Sequence, residues 1–140
     1  PVYNRYFDNL LMIMNRQMPE SCSMRGVCGD QWVIEADGCT YPCDFYALDQ
    51  WLLGNIRKDS FKEMNAKREE LGFVQWSRQV HEDCKNCPWY PLCRGGCRRN
   101  REPVGCDSTG KNYFCSAYKG FFEYAYPRLE EVCRQILQSR

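Results

Sequence analysis

Cys84-Lys-Asn-Cys87-Pro-Trp-Tyr-Pro-Leu-Cys93-Arg-Gly-Gly-Cys97 places four thiols at intervals of two, five and three residues. Thiolates at short, irregular spacing, separated by Pro and Gly that let the backbone turn back repeatedly, are what a 4Fe-4S cluster or a structural zinc needs. Residues 81–110 are rich in Cys, Pro, Gly and Arg and show no clean periodicity. They are expected to form a loop organised by metal rather than by a core.

Regular patterns flank this stretch. Tyr3, Phe7, Leu10, Leu11 and Met14 recur at helical spacing, which predicts an amphipathic helix over 3–18 that Pro19 stops. Gln31 to Pro42 reads as a β-hairpin turning at Asp37-Gly38, with Cys43 delivered directly after it. A short extended stretch is expected between Phe45 and Ile56. Ser60 and Glu63 then make a capping box for a helix reaching about Glu70. From Lys111 the chain turns helical again, with Phe114, Tyr118, Phe121, Phe122, Leu129, Val132, Ile136 and Leu137 as its apolar stripe. Pro127 is expected to kink that helix or to begin a second one.

Composition narrows the class. The 140 residues suffice for one domain with a modest core but for only about half of an eight-stranded barrel enzyme, and the sequence begins at Pro1 without Met. A fragment of a larger enzyme is therefore expected. Eleven cysteines, an odd number, come with no signal peptide and no membrane-length apolar run. This favours metal in a reducing cytoplasm over a secreted disulfide scaffold. The formal charge of +1 gives no case for nucleic acid. With eight thiolates and two cluster cores it falls to about −3.

Five residues lie between Cys22 and Cys28 and fourteen between Cys28 and Cys43, with four between Gly38 and Cys43, and seventeen lie between Cys97 and Cys115. The order C-x5-C-x9-G-x4-C, gap, C-x2-C-x5-C-x3-C, gap, C closely resembles the SPASM domain of radical S-adenosylmethionine enzymes that modify peptides and proteins. Gly38-Cys-Thr-Tyr-Pro-Cys-Asp44-Phe-Tyr46, Leu92-Cys-Arg-Gly-Gly-Cys97 and Asn112-Tyr-Phe-Cys115 look most like anaerobic sulfatase-maturating enzymes, which oxidise a Cys or Ser of a sulfatase to formylglycine.

The resemblance implies two auxiliary 4Fe-4S clusters. Cys22, Cys28, Cys43 and the returning Cys97 would hold one, and Cys84, Cys87, Cys93 and Cys115 the other. It also implies that Asp44 takes a proton as the substrate radical is oxidised; the plain alternative is a turn-capping Asp. The expected fold is α+β, a small β-hairpin with flanking helices and long cysteine-rich loops organised by two metal clusters. Residues 1–20 would form a helix leading from a radical S-adenosylmethionine barrel, 21–116 the auxiliary cluster domain and 117–140 a C-terminal helical segment. Implied partners are the sulfatase or another peptide substrate and that barrel, with neither nucleic acid nor membrane.

Radical generation needs a C-x3-C-x2-C loop, and this chain lacks one. Tyr46 follows Cys39-x3-Cys43 where the third Cys belongs, and Asn100 follows Cys93-x3-Cys97. S-adenosylmethionine and a third 4Fe-4S cluster are therefore expected only in the barrel, and this chain alone is not expected to be the enzyme. Spacing alone does not exclude zinc, and a purified fragment could carry it. A maturase of another peptide, or a stand-alone structural zinc or electron-transfer module, fits the same cysteines.

Among the remaining residues, Cys133 lies on the last apolar stripe and reads as a small buried hydrophobe, while Cys39 and Cys106 read as free thiols. Arg94, Arg98, Arg99 and Arg101 are expected to offset cluster charge or donate hydrogen bonds nearby. His81 reads as a surface residue, and Trp89 and Tyr90 as lids over a cluster.

Overall fold

A computed structural model of the chain describes residues 2–102 and 110–138. Cys106 lies outside them. In chain order the elements are helices α1 (Arg5–Met14) and α2 (Cys22–Arg25), strands β1 (Val33–Ile34), β2 (Cys39–Tyr41) and β3 (Gly54–Asn55), then helices α3 (Phe61–Glu70), α4 (Phe73–Ser77), α5 (Glu82–Lys85), α6 (Tyr90–Cys93) and α7 (Cys115–Gln138). They fall into two compact units, Pro1–Val27 with Val80–Arg140, and Cys28–Gln79. Among the described residues no helix is long and apolar enough to cross a membrane.

In the first unit, Asn4 caps α1 by accepting the N–H groups of Tyr6 and Phe7. The helix ends at Met14, well before Pro19, which corrects the expected stop. Arg16 adopts a left-handed φ of 59°, and the N–H groups of Arg16 and Gln17 return to the carbonyls of Ile13 and Met12 at 3.0 and 2.8 Å. This is a Schellman termination. An Arg rather than a Gly stands at its left-handed position, so the sequence carried no stop signal there.

Helix α7 is continuous over 24 residues and contains Pro127. No second helix begins at Pro127, which removes one backbone donor from the helix interior. Nor does the helix begin at Lys111, since it starts at Cys115. Its inward seam is Phe122, Ala125, Leu129 and Cys133, whereas Val132 and Leu137 are exposed. These residues close on Leu10, Ile13, Met24 and Leu92. Full burial of a side chain such as Phe122 stabilises by about 1.5–3 kcal/mol. Leu92 shows that residues 81–110 do contribute to a core, and α5 and α6 correct the expectation that this region is loop throughout.

The second unit holds an antiparallel sheet of order β1-β2-β3. Val33 pairs with Tyr41 and Ile34 with Thr40, while Cys39 pairs with Asn55 and Thr40 with Gly54. The expected hairpin is therefore two of three strands. Its turn is closed by the Gly38 N–H to the Glu35 carbonyl at 2.8 Å, with Gly38 at φ 88°. A Cβ there would lie 2.7 Å from Asn55 Oδ1, so a Gly is required at this position, with four residues between it and Cys43. Below the sheet, Tyr46, Trp51 and Phe73 pack edge to face with centroids 4.9–5.5 Å apart. The Ser60–Glu63 capping box forms as read from the sequence.

Candidate functional site

Six of the eight patterned cysteines, Cys22, Cys84, Cys87, Cys93, Cys97 and Cys115, lie in the first unit. His81 caps α5 by accepting the Asp83 N–H at 3.1 Å, which sets Cys84 in the helix. Its role is thus local and structural. The N–H of Cys87 returns to the Cys84 carbonyl, and that of Tyr90 to the Cys87 carbonyl, leading into α6 and Cys93. Trp89 packs on Phe122 and Tyr126 at 5.9 and 5.5 Å, so it belongs to the core rather than to a lid.

After Cys93 the backbone turns left-handed three times running, at Arg94 (φ 50°), Gly95 (φ 80°) and Gly96 (φ 70°). This reversal directs Cys97 away from its predecessors. It is fastened by Asn112, a buried residue whose importance only the Asn112-Tyr-Phe-Cys115 motif hinted at. Its Nδ2 donates to the Gly95 carbonyl at 2.9 Å and its Oδ1 accepts the Phe114 N–H at 2.8 Å. The Cys115 N–H donates to the Asn112 carbonyl at 3.0 Å. One side chain thereby ties the Cys93 turn to the Cys115 end of α7.

The thiols of Cys84, Cys87, Cys93 and Cys115 lie within electrostatic reach of one another. Burial pushes Cys93 up; the Gly95 N–H opposes this, and the charges of Cys115, Cys84 and Cys87 add to it. Cys84 is likewise pushed up by burial and then by Cys115, Cys87 and Asp83, with Lys111 opposing. Cys97 is raised by burial and by Cys22, while the N–H groups of Arg99 and Asn100 and the Arg101 charge favour its thiolate. In the second unit burial pushes Cys43 up to about 12, opposed by the Phe45 N–H and assisted by Asp44 and Cys28. The Cys28 N–H is held by Ser77 Oγ at 2.9 Å.

This donor set suits a multi-iron cluster. Half-buried thiols resist ionisation until a cationic core compensates them, and backbone N–H groups already point at the sulfurs of Cys43, Cys93 and Cys97. Among the described residues no three His, Cys, Asp or Glu side chains converge closely enough for a single metal ion. All ten described cysteines are free thiols.

Asp44 is exposed and opens the short 3-10 turn Asp44–Tyr46; its Oδ1 accepts from Cys43 Sγ at 3.2 Å. Among the described residues it accepts no backbone N–H, so it is not the turn cap of the plain alternative. Within the basic run, Arg98 and Arg101 are only 3% and 5% exposed. Arg98 pairs with Glu102, and Arg101 Nη2 donates to the Gly26 carbonyl at 3.2 Å. Cys133 is buried and accepts Asn15 Nδ2 at 3.7 Å, whereas Cys39 accepts Asn55 Nδ2 at the same distance.

Residues 22–88 match the SPASM iron-sulfur cluster-binding domain. Over 132 residues the chain is 48% identical to a cysteine-type anaerobic sulfatase-maturating enzyme of Clostridium perfringens, covering 94% of the chain and 36% of that protein. A serine-type anaerobic sulfatase-maturating enzyme of Bacteroides thetaiotaomicron is 28% identical over 136 residues, covering 96% of the chain and 33% of that protein. The solved structure of native anSMEcpe with bound AdoMet and Cp18Cys peptide superposes with a TM-score of 0.87 at 48% identity, covering 94% of this chain and 37% of that one. The chain thus spans about a third of the length of these relatives.

Proposed function

We propose that this chain is an auxiliary domain with two 4Fe-4S clusters, of the SPASM iron-sulfur kind that residues 22–88 match and most similar to anaerobic sulfatase-maturating enzymes. It serves a radical S-adenosylmethionine maturase that oxidises a Cys or Ser of a sulfatase to formylglycine. The observation that carries this reading is the buried Asn112, whose hydrogen bonds tie the turn after Cys93 to the Cys115 end of α7 in the same unit as Cys84 and Cys87. These four cysteines hold one cluster. By the resemblance to the SPASM pattern, Cys22, Cys28, Cys43 and Cys97 hold the other.

Iron-sulfur is favoured over zinc by spacing. The C-x5-C-x3-C continuation and the match of residues 22–88 to an iron-sulfur cluster-binding domain support the cluster reading. When bound, such a cluster supplies a site that accepts or returns one electron.

Asp44 supplies the proton acceptor. It is exposed beside Cys43 and is not occupied as a turn cap, so a substrate carbon could approach its carboxylate. The Cp18Cys peptide bound in the similar solved structure supports a peptide as substrate. The barrel that generates the radical, and its S-adenosylmethionine, belong to the remainder of the enzyme. The test uses the full-length protein and a sulfatase peptide carrying the target Cys or Ser. Mass spectrometry should show the aldehyde product, and Asp44→Asn should lower its rate by roughly 10²–10⁴-fold while S-adenosylmethionine cleavage persists. No aldehyde from the wild-type protein overturns the maturase reading, and an undiminished rate in the variant removes Asp44 from it.

A further inference from the structure

Two tyrosines of the first unit have no part in the reading so far. Tyr6 on α1 and Tyr118 on α7 line one cavity of about 110 Å³ together with Ser23, Cys93 and Gly96. Tyr6 is fixed by an edge-to-face contact with Phe121 at 5.7 Å, and Tyr118 by stacking on Phe122 at 6.3 Å. A Cβ built on Gly96 would touch Tyr118 Cε2 in ordinary van der Waals contact at 3.9 Å, which places the ring beside the turn that separates Cys93 from Cys97. Ser23 Oγ is engaged with Ser21 Oγ at 2.8 Å. The two phenols thus line the same space as Cys93, and that space has room for a bridging water, which takes about 30 Å³.

We propose that Tyr118, assisted by Tyr6, is a positioning residue that donates a hydrogen bond through a water in this cavity to the sulfur of Cys93 and thereby raises the reduction potential of the cluster bound there. The proposal rests on the assignment of Cys93 as a cluster ligand. Both phenols are held in the protonated, donating form. Burial, then Tyr118 and then Cys93, pushes Tyr6 up to about 12; burial, then Cys93 and then Cys97, pushes Tyr118 up. A donor on a ligand sulfur stabilises the cluster more after it has gained an electron, because the added negative charge spreads onto the sulfurs. The electron comes from the reductant in the titration, the core passes from +2 to +1, and the proton stays on the phenol.

The experiment is a redox titration followed by electron paramagnetic resonance, on the anaerobically purified full-length protein and its Tyr118→Phe and Tyr6→Phe variants. Phe keeps the ring packing and removes only the hydroxyl. Tyr118→Phe should retain its iron and lower the reduction equilibrium of the Cys93 cluster roughly tenfold, about 59 mV for one electron. Tyr6→Phe should shift it in the same direction by less. Full iron with an unmoved potential in both variants overturns the proposal. Absence of cluster iron from the wild-type protein instead overturns the ligand assignment beneath it. Should Tyr118→Phe lose iron, 3-fluorotyrosine at 118 keeps the hydroxyl and strengthens it as a donor. The potential must then rise, and an unmoved potential refutes the tuning role.

Discussion

Adding a single methyl at Gly96 probes the turn that separates Cys93 from Cys97. In Gly96→Ala the new Cβ would lie 2.5 Å from Asn112 Nδ2 on a backbone at φ 70°. The left-handed conformation costs a non-glycine residue about 1–2 kcal/mol. Asn112 must also give way, leaving the Gly95 carbonyl without its buried donor at a further cost of about 1–3 kcal/mol. Together these destabilise by about 2–5 kcal/mol, which lowers the unfolding midpoint by about 6–15 °C in a chain of this size. Because Asn112 also holds the approach to Cys115, iron retention should fall with it. Gly120→Ala is the control: its Cβ meets nothing within 4 Å and lies inside α7, so the midpoint should rise by about 2–3 °C from a gain of about 0.5–1 kcal/mol. Both variants are measured by anaerobic calorimetry at one scan rate, with iron assayed in parallel. A Gly96→Ala protein with unchanged midpoint and full iron would refute the role given to this turn.

Other expected outcomes follow from the same contacts. Cys87→Ala should leave about four of about eight irons, one cluster's worth, whereas Cys133→Ala should keep them all; iron lost from the latter would mean the ligand sets are wrongly drawn. Ser60→Ala should destabilise by about 1 kcal/mol, read by denaturant titration. The same box carries a pH dependence. The backbone N–H and hydroxyl of Ser60 hold Glu63 below its ordinary value of 4.5. Its contribution is therefore complete above pH 4.5 and lost as pH falls through the lowered value. Glu63→Gln should flatten that acid limb, and an unchanged limb would assign it to other carboxylates.

Local chemistry made much of this structure legible. The Ser60–Glu63 box, the turn at Asp37-Gly38, the reversal at Gly95-Gly96 and the burial of Cys133 all depend on a few neighbouring residues or on one side of a helix, and the sequence states them directly. Features decided by distant packing were hidden. A Schellman ending at Arg16 carries no glycine to announce it, and α7 runs through Pro127 because its seam of Phe122, Ala125, Leu129 and Cys133 spans the proline. Trp89 read as a lid because it stands among cysteines, yet Phe122 and Tyr126 claim it from a helix more than thirty residues away. Asn112 is the corresponding case at the site, since its partner Gly95 becomes a neighbour only once the chain has folded.

The central claim is that these cysteines hold two iron-sulfur clusters, and iron with acid-labile sulfide measured on anaerobically prepared protein tests it most directly. The account predicts about eight iron and about eight sulfide per chain. About two tightly bound zinc ions with no sulfide, from cells grown without oxygen, would contradict it.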